Sequence, residues 1–167
     1  MIILELVMLK YTTTQITFRE IPDEVTLCIN ISNCPIHCPD CHSKELWGDI
    51  GEELTRSTLL RLIEQNKGIT CVCFMGGDSD IYYLLELAYL VNDRYNGKLK
   101  VAWYSGKNKI YNGFDYIKIG PYIKEKGGLN DINTNQRLFK RNYFEDGDSE
   151  LANWEDITYK FWNVNKM

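Results

Sequence analysis

Residues 25–42 read VTLCINISNCPIHCPDCH, an apolar run followed at once by three closely spaced cysteines. The apolar part, 25–31, is rich in β-branched residues and predicts a buried strand. The run ends at Ser32 and Asn33, where a loop with two prolines begins. The pattern therefore predicts a strand whose carboxyl end leads into a loop rich in thiols.

Strand-like and helix-like patterns alternate on both sides of this stretch. Short apolar runs predict further strands at 15–18, 69–75, 99–104 and 116–119. Apolar residues at three- and four-residue spacing predict helices over 52–67, with Thr55 as N-cap and Gly68 as stop, and over 81–91. A turn or short helix is expected at 107–111.

This alternation predicts an α/β fold, because strands separated by helices form parallel sheets. We expect a partial (βα) barrel of four to six units, with a mostly parallel open sheet and helices on its outer face. A chain of 167 residues is ordinarily one domain. We assign 1–167 to it, with a core at 15–140 and a C-terminal tail at 141–167. The tail is expected to dock on the core, because it is rich in aromatic residues: Tyr143, Phe144, Trp154, Tyr159, Phe161 and Trp162.

Composition excludes several classes of protein. The net charge of −4 argues against a nucleic-acid partner, since such binding relies on Lys and Arg. The apolar start, 1–9, is interrupted by Glu5 and lacks a basic region, so no signal peptide is predicted. No run approaches the length of a membrane span. We therefore expect a cytoplasmic protein with reduced thiols and no membrane partner.

The six cysteines fall into two groups. The first group lies within eight residues of the loop and comprises Cys34, Cys38 and Cys41. The second group lies inside apolar runs and comprises Cys28, Cys71 and Cys73, which we interpret as buried structural residues. In a reducing compartment, closely spaced cysteines indicate a metal site before they indicate disulfides.

Thiolates at this C-x3-C-x2-C spacing suit an iron–sulfur cluster or zinc. A 4Fe–4S cluster normally takes four thiolates, so three would leave one iron open to another ligand. The alternative is a zinc site of the same three cysteines with His42 or His37, in a binding module without catalysis. The chain lacks the second ligand pair that structural zinc sites usually have, which favours the cluster.

Two further segments follow predicted strands and should lie at the same edge of the sheet. Gly76-Gly77-Asp78 follows the strand at 69–75, and Ser105-Gly106 follows the strand at 99–104. Two glycines let the backbone approach a ligand closely, and a carboxylate accepts hydrogen bonds from a cationic amino group. Alternatively, Asp78 or Ser79 is the N-cap of the next helix.

The C-x3-C-x2-C loop resembles the signature of radical S-adenosylmethionine enzymes. That resemblance implies a 4Fe–4S cluster on Cys34, Cys38 and Cys41, whose open iron binds S-adenosylmethionine. It further implies one-electron cleavage of this cofactor to a 5′-deoxyadenosyl radical, with the three cysteines as the catalytic residues. Residues 76–78 resemble the Gly-Gly-Glu motif that holds the methionine end. The full set of implied cofactor-binding residues is Asp40, Cys41, His42, Gly76, Gly77, Asp78 and Ser105.

Several segments resemble the activating proteins of anaerobic ribonucleotide reductases. Residues 38–43 with Leu46-Trp47 resemble their C-P-G-C-H-N…L-W stretch, with Asp40 in place of the glycine. Residues 103–106, 115–122 and 133–137 resemble their later motifs. The resemblance implies a protein substrate, the reductase, on which a glycine becomes a radical. It also implies a small electron-donor protein such as flavodoxin.

One alternative stays open within the same superfamily. A radical S-adenosylmethionine enzyme that acts on a small molecule, of the deazapurine synthase kind, would share the cysteine loop. Such an enzyme must enclose its substrate, whereas an activating enzyme must leave its cleft open to a protein loop. A compact chain favours the open cleft.

Overall fold

The computed structural model of the chain describes residues 8–143 and 153–162. The apolar start at 1–7 and the aromatic Phe144 lie outside the described residues. Within them, two α-helices and eight strands are found. The helices are α1 (Arg56–Glu64) and α2 (Ile81–Tyr95). The strands are β1 (Lys10–Thr17), β2 (Thr26–Ile31), β3 (Glu52–Glu53), β4 (Cys71–Met75), β5 (Lys100–Tyr104), β6 (Tyr116–Ile119), β7 (Arg137–Asn142) and β8 (Asn153–Asp156).

All eight strands form one sheet in the order β3-β1-β2-β4-β5-β6-β7-β8. The central strands β2, β4, β5 and β6 are parallel to one another. The outer strands pair antiparallel, β3 and β1 on one side and β7 and β8 on the other. The sheet is therefore mixed, with a parallel centre and antiparallel margins.

The predicted partial (βα) barrel with helices along its outer face is wrong. The eight strands carry only two α-helices among the described residues, and four of the seven strand pairings are antiparallel. The physical reason lies in the connections. Segment 105–115 falls short of the roughly dozen residues that a helical crossover takes, and it joins β5 to β6 without a helix. The turn or helix expected at 107–111 is likewise not helical.

Both helices begin at side-chain caps. Thr55 accepts a hydrogen bond from the Thr58 amide at 3.0 Å, as its sequence position predicted. At α2 the cap is Asp80, whose carboxylate accepts from the Tyr83 amide at 3.0 Å, so the alternative that Asp78 or Ser79 caps this helix is wrong. None of the helices in the described part of the chain is long and apolar enough to span a membrane.

The central strands are buried on both faces. Alternate residues such as Val72, Phe74 and Trp103 pack beneath α1 and α2 in the larger core cluster. The opposite side, here called the second face, is lined by residues of the smaller cluster: Ile21, Cys28, Cys71, Cys73, Ala102, Tyr116, Leu138 and Ile157. Residues 153–162 cover part of it, because Ile157 and Phe161 pack there. This part of the tail is docked on the core, as its aromatic content predicted.

Candidate metal centre

The site is built at one edge of the sheet. Because β2, β4, β5 and β6 are parallel, their carboxyl ends meet there. The cysteine loop follows β2, residues 76–78 follow β4, and residues 105–106 follow β5. The three segments that the sequence singled out therefore share one edge of the sheet.

Backbone hydrogen bonds fix the cysteine loop. The Asn33 amide donates to the Gly48 carbonyl at 2.9 Å, and the Cys34 amide donates to the Leu46 carbonyl at 3.0 Å. A turn closes between Cys38 and Cys41, whose amide donates to the Cys38 carbonyl at 3.0 Å. The loop is thus held at its base by the segment that follows it, and its sulfurs lie on a defined scaffold.

The three loop thiols are half-buried, in contrast to fully buried structural cysteines. The Ser43 amide donates a hydrogen bond to Cys41 Sγ at 3.3 Å. Such bonds stabilise thiolates and influence the reduction potential of a bound cluster. The loop therefore offers both the thiolates and part of their outer coordination sphere.

The donor set of the loop fits an iron–sulfur cluster. Cluster irons take soft thiolate ligands, and the loop presents three cysteines at half-buried positions. Within the described ranges, no three His, Cys, Asp or Glu side chains are already placed to hold one metal ion.

Trp47 supplies a second test of fit. Its ring stacks on the ring of His37, with the two centroids 4.5 Å apart. His37, which lies between Cys34 and Cys38 in the sequence, is therefore an aromatic partner of Trp47. The indole Nε1 of Trp47 is buried, and the described residues offer it no acceptor. Buried donors are normally satisfied. A cluster would bring sulfur acceptors to this loop, and the orphaned donor is compatible with one.

Two glycines let the loops approach each other. Gly76 has a φ of 113°, and a Cβ there would lie 2.9 Å from the carbonyl oxygen of Ile31, the last residue of β2. A Cβ on Gly106 would lie 2.7 Å from Cγ1 of Ile36, between the first two loop cysteines. Glycine is therefore needed at both positions to pack the loops after β4 and β5 against the segment that carries the thiols.

Asp78 joins two of these loops. Its side chain is 5% exposed, and one carboxylate oxygen accepts a hydrogen bond from the Ser105 hydroxyl. The other oxygen accepts from the Gly106 amide at 3.1 Å, and Lys107 Nζ donates to the Asp78 carbonyl at 3.0 Å. Asp78 and Ser105 thus hold the loops after β4 and β5 together. Their direct contact with a cofactor stays a prediction.

The remaining predicted cofactor neighbours lie on the outer side of the loop. Asp40 and His42 are exposed. The His42 ring packs at 5.0 Å from the ring of Tyr122, which follows β6. His42 therefore connects the cysteine loop to the β6 end of the site.

The segment around Gln136 is a structural support in this structure. Gln136 is buried, and its Nε2 donates to the Gly120 carbonyl at 3.4 Å. Asn135 Nδ2 donates to the Pro121 carbonyl at 3.0 Å. These bonds stabilise the loop after β6.

One polar residue of this edge was missed by the sequence analysis. Lys118 lies near the carboxyl end of β6 and is only 9% exposed. Its neighbour across the ladder is Tyr104. A charged residue inside an otherwise apolar strand, YIKI, is the signal that would have found it.

The second group of cysteines is unsuited to metal binding. Cys28, Cys71 and Cys73 are each 0% exposed, which confirms their assignment as buried residues. Burial raises the pKa of the Cys71 and Cys73 thiols well above the ordinary value. Metal ligands must be thiolates, and burial in this apolar layer opposes their formation.

Comparison with known proteins then identifies the family. The family profile of the 4Fe–4S single cluster domain matches residues 24–118, more than half of the chain. The chain belongs to this 4Fe–4S cluster domain family. The matched range begins two residues before β2, ends one residue before the end of β6 and includes all three loop cysteines. No curated protein and no solved structure matches the chain. An iron–sulfur cofactor is thereby supported for this cluster domain.

Proposed function

We propose that this cluster domain is a radical S-adenosylmethionine enzyme that generates a glycyl radical on an anaerobic ribonucleotide reductase. The observation that carries the proposal is the meeting of two motifs at one edge of the sheet. The C-x3-C-x2-C loop follows β2, and the glycine pair of the neighbouring strand β4 packs against the end of β2 through Gly76 and Ile31.

The three loop cysteines would hold the cluster and leave one iron for the cofactor. When bound, the cluster supplies a single electron to the sulfonium of S-adenosylmethionine. In this proposal the methionine end of the cofactor lies beside the backbone of Gly76, which is half-buried, whereas Gly77 is buried against Leu84. Asp78 and Ser105 fix the position of that backbone through their mutual hydrogen bond.

The narrower activity rests on the sequence resemblance of residues 38–47, 103–106, 115–122 and 133–137 to the reductase-activating proteins. The segment at 133–137 lies beside the loop after β6, through Asn135 and Gln136, and so belongs to the same edge of the sheet. A protein substrate approaching the cysteine loop would meet this edge. A flavodoxin-like protein is the proposed electron donor.

The first experiment tests the cluster and the cofactor. The protein is reconstituted anaerobically with iron and sulfide, reduced with dithionite and examined by electron paramagnetic resonance with and without S-adenosylmethionine. We expect a reduced 4Fe–4S signal that changes shape when the cofactor is added. A brown protein whose signal is the same with and without S-adenosylmethionine would contradict radical S-adenosylmethionine chemistry. The assignment of a 4Fe–4S cluster would still hold.

The second experiment tests the substrate. The reduced, cofactor-loaded protein is incubated with an anaerobic ribonucleotide reductase, and a glycyl-radical signal is expected on the reductase. The matched control is a reductase in which the radical-bearing glycine is replaced by alanine. Rapid consumption of S-adenosylmethionine with a small metabolite, and none with the reductase, would instead support the small-molecule alternative.

A further inference from the structure

Lys118 is a buried cation at the carboxyl end of the parallel strands. Its Nζ donates hydrogen bonds to the Ser105 carbonyl at 2.9 Å and to the Gly120 carbonyl at 3.1 Å. The ammonium also lies over the ring of Tyr104, at 5.6 Å from the centroid. In the described part of the chain, no carboxylate lies within ion-pair distance of it.

Strand register places Lys118 near the edge of the sheet that carries the candidate centre. Neighbouring strands align Asn30 with Met75, Met75 with Tyr104, and Tyr104 with Lys118, in one row across β2, β4, β5 and β6. The row lies on the second face, because Met75 and Tyr104 pack against its cluster. It is one of the last rows before the loops begin. Lys118 is its only charged member among those four residues.

The electrostatic surroundings of Lys118 also relate it to the cysteine loop. Burial lowers the pKa of its ammonium to about 8, and the charges that oppose this shift belong to Asp78, Cys38, the sheet thiol Cys73 and Cys34. The side chain therefore shares its local field with two of the three loop thiols. Carbonyl dipoles and an aromatic ring compensate only part of the cost of burying a full positive charge.

A cluster at the cysteine loop would supply the missing negative charge. A 4Fe–4S core held by three thiolates is net negative, and one-electron reduction adds a further unit of negative charge. Net charge and the surrounding dipoles are among the main determinants of cluster potential. A buried cation near the thiolates would therefore favour the reduced state over the oxidised one.

We propose that Lys118 is a positioning residue for electron transfer, whose fixed positive charge raises the reduction potential of the 4Fe–4S cluster on Cys34, Cys38 and Cys41. This role depends on the cluster alone and on neither S-adenosylmethionine nor the reductase. Its failure is therefore distinguishable from failure of the proposed function.

Two substitutions at the same position separate charge from hydrogen bonding. Lys118→Gln removes the charge but retains an amide that can donate to the carbonyls of Ser105 and Gly120. Lys118→Arg retains the charge and the donors. Lys109→Gln removes the same charge from an exposed residue on the loop after β5 and serves as the matched control.

Each protein is reconstituted anaerobically, its iron content is measured, and the cluster is titrated at pH 7 by electron paramagnetic resonance without S-adenosylmethionine. We expect Lys118→Gln to lower the equilibrium constant for reduction about tenfold, which is about 59 mV for one electron. Lys118→Arg should restore most of the loss, and Lys109→Gln should match the wild-type protein.

The comparison of Gln with Arg decides the result even if cluster assembly suffers. A Gln variant that cannot retain iron, beside an Arg variant that can, would also support a role for the charge. Equal potentials in the wild-type, Gln and Arg proteins would overturn the proposal. So would Gln and Arg variants that lose the cluster alike, because the role of Lys118 would then be confined to packing.

Discussion

The two groups of cysteines show how strongly position determines the chemistry of one side chain. Cys34, Cys38 and Cys41 are half-buried on a loop, and one of their sulfurs already accepts a backbone hydrogen bond. Cys28 and Cys73 are fully buried and lie opposite each other on β2 and β4.

Only the loop environment suits thiolates. In the sheet, neighbours are apolar side chains and other thiols, and burial raises the pKa of Cys73. In the loop, the three thiols are half-buried, and a backbone amide already donates a hydrogen bond to Cys41. The family assignment fits this contrast. The region matched by the cluster-domain profile contains the cysteine loop and also the strands in which the other three thiols are buried.

The largest expected effect is on the cluster itself. Replacing Cys34, Cys38 or Cys41 by alanine removes one thiolate from a set of only three, so each variant should lose most of its iron and its visible absorbance. Iron analysis and absorbance after anaerobic reconstitution would measure this. A loop variant that retains a full cluster would show that another residue is a ligand.

Thiol reactivity should separate the two groups in the metal-free protein. The thiolate is the nucleophile, so brief treatment of the folded chain with iodoacetamide should alkylate the loop cysteines at least about tenfold faster than Cys71 and Cys73. Peptide mass spectrometry would measure the labelled fraction at each position. In denaturant the difference should disappear, and equal rates in the folded protein would contradict the burial of the sheet thiols.

Asp78→Ala tests the link between the loops after β4 and β5. The hydroxyl of Ser105 and the amide of Gly106 would lose their acceptor, at a cost of about 1–3 kcal/mol in the free energy of unfolding. We expect S-adenosylmethionine affinity to fall more than iron content, as measured by calorimetric titration of the reconstituted protein.

Asp80→Ala is the control for this substitution. It removes the N-cap of α2 two residues away and should cost about 1 kcal/mol of stability without changing cofactor affinity. Equal losses of affinity in the two variants would assign Asp78 to general stability rather than to the cleft.

The smallest effect is expected at the sheet cysteines. Cys28→Ala removes one sulfur from a packed layer and should lower the free energy of unfolding by about 1 kcal/mol while the cluster stays intact. Chemical denaturation and iron analysis would measure both quantities. If Cys28→Ala lost as much iron as Cys34→Ala, the assignment of the metal ligands to the loop cysteines would be wrong.

Local patterns predicted the parts of the fold that depend on local chemistry. The strand at 116–119, the cap at Thr55 and the burial of Cys28 follow from apolar runs, capping preference and context. The mixed sheet does not follow from such patterns. Whether β7 and β8 pair antiparallel beside β6 is decided by contacts between distant segments, which leave no periodic signal.

The site shows the same division. The cysteine spacing and the glycine pair could be recognised as motifs in the sequence. The hydrogen bond from Ser105 to Asp78 and the hydrogen bond from Lys118 to the Ser105 carbonyl became visible only in the structure, because the paired residues lie 27 and 13 residues apart along the chain. Sequence predicted which loops meet, and the structure adds how they are held.

The docked segment 153–162 also sets an order of events during synthesis. Lys160 pairs with Asp23 across 137 residues, and Ile157 packs in the layer that contains the three sheet thiols. Contacts of such sequence separation form late, because residues 153–162 must be synthesised first. While translation proceeds, Cys28, Cys71 and Cys73 lack this part of their cover. The sheet thiols are therefore less well covered in the newborn chain than in the folded protein, and a reducing environment protects them until residues 153–162 have docked.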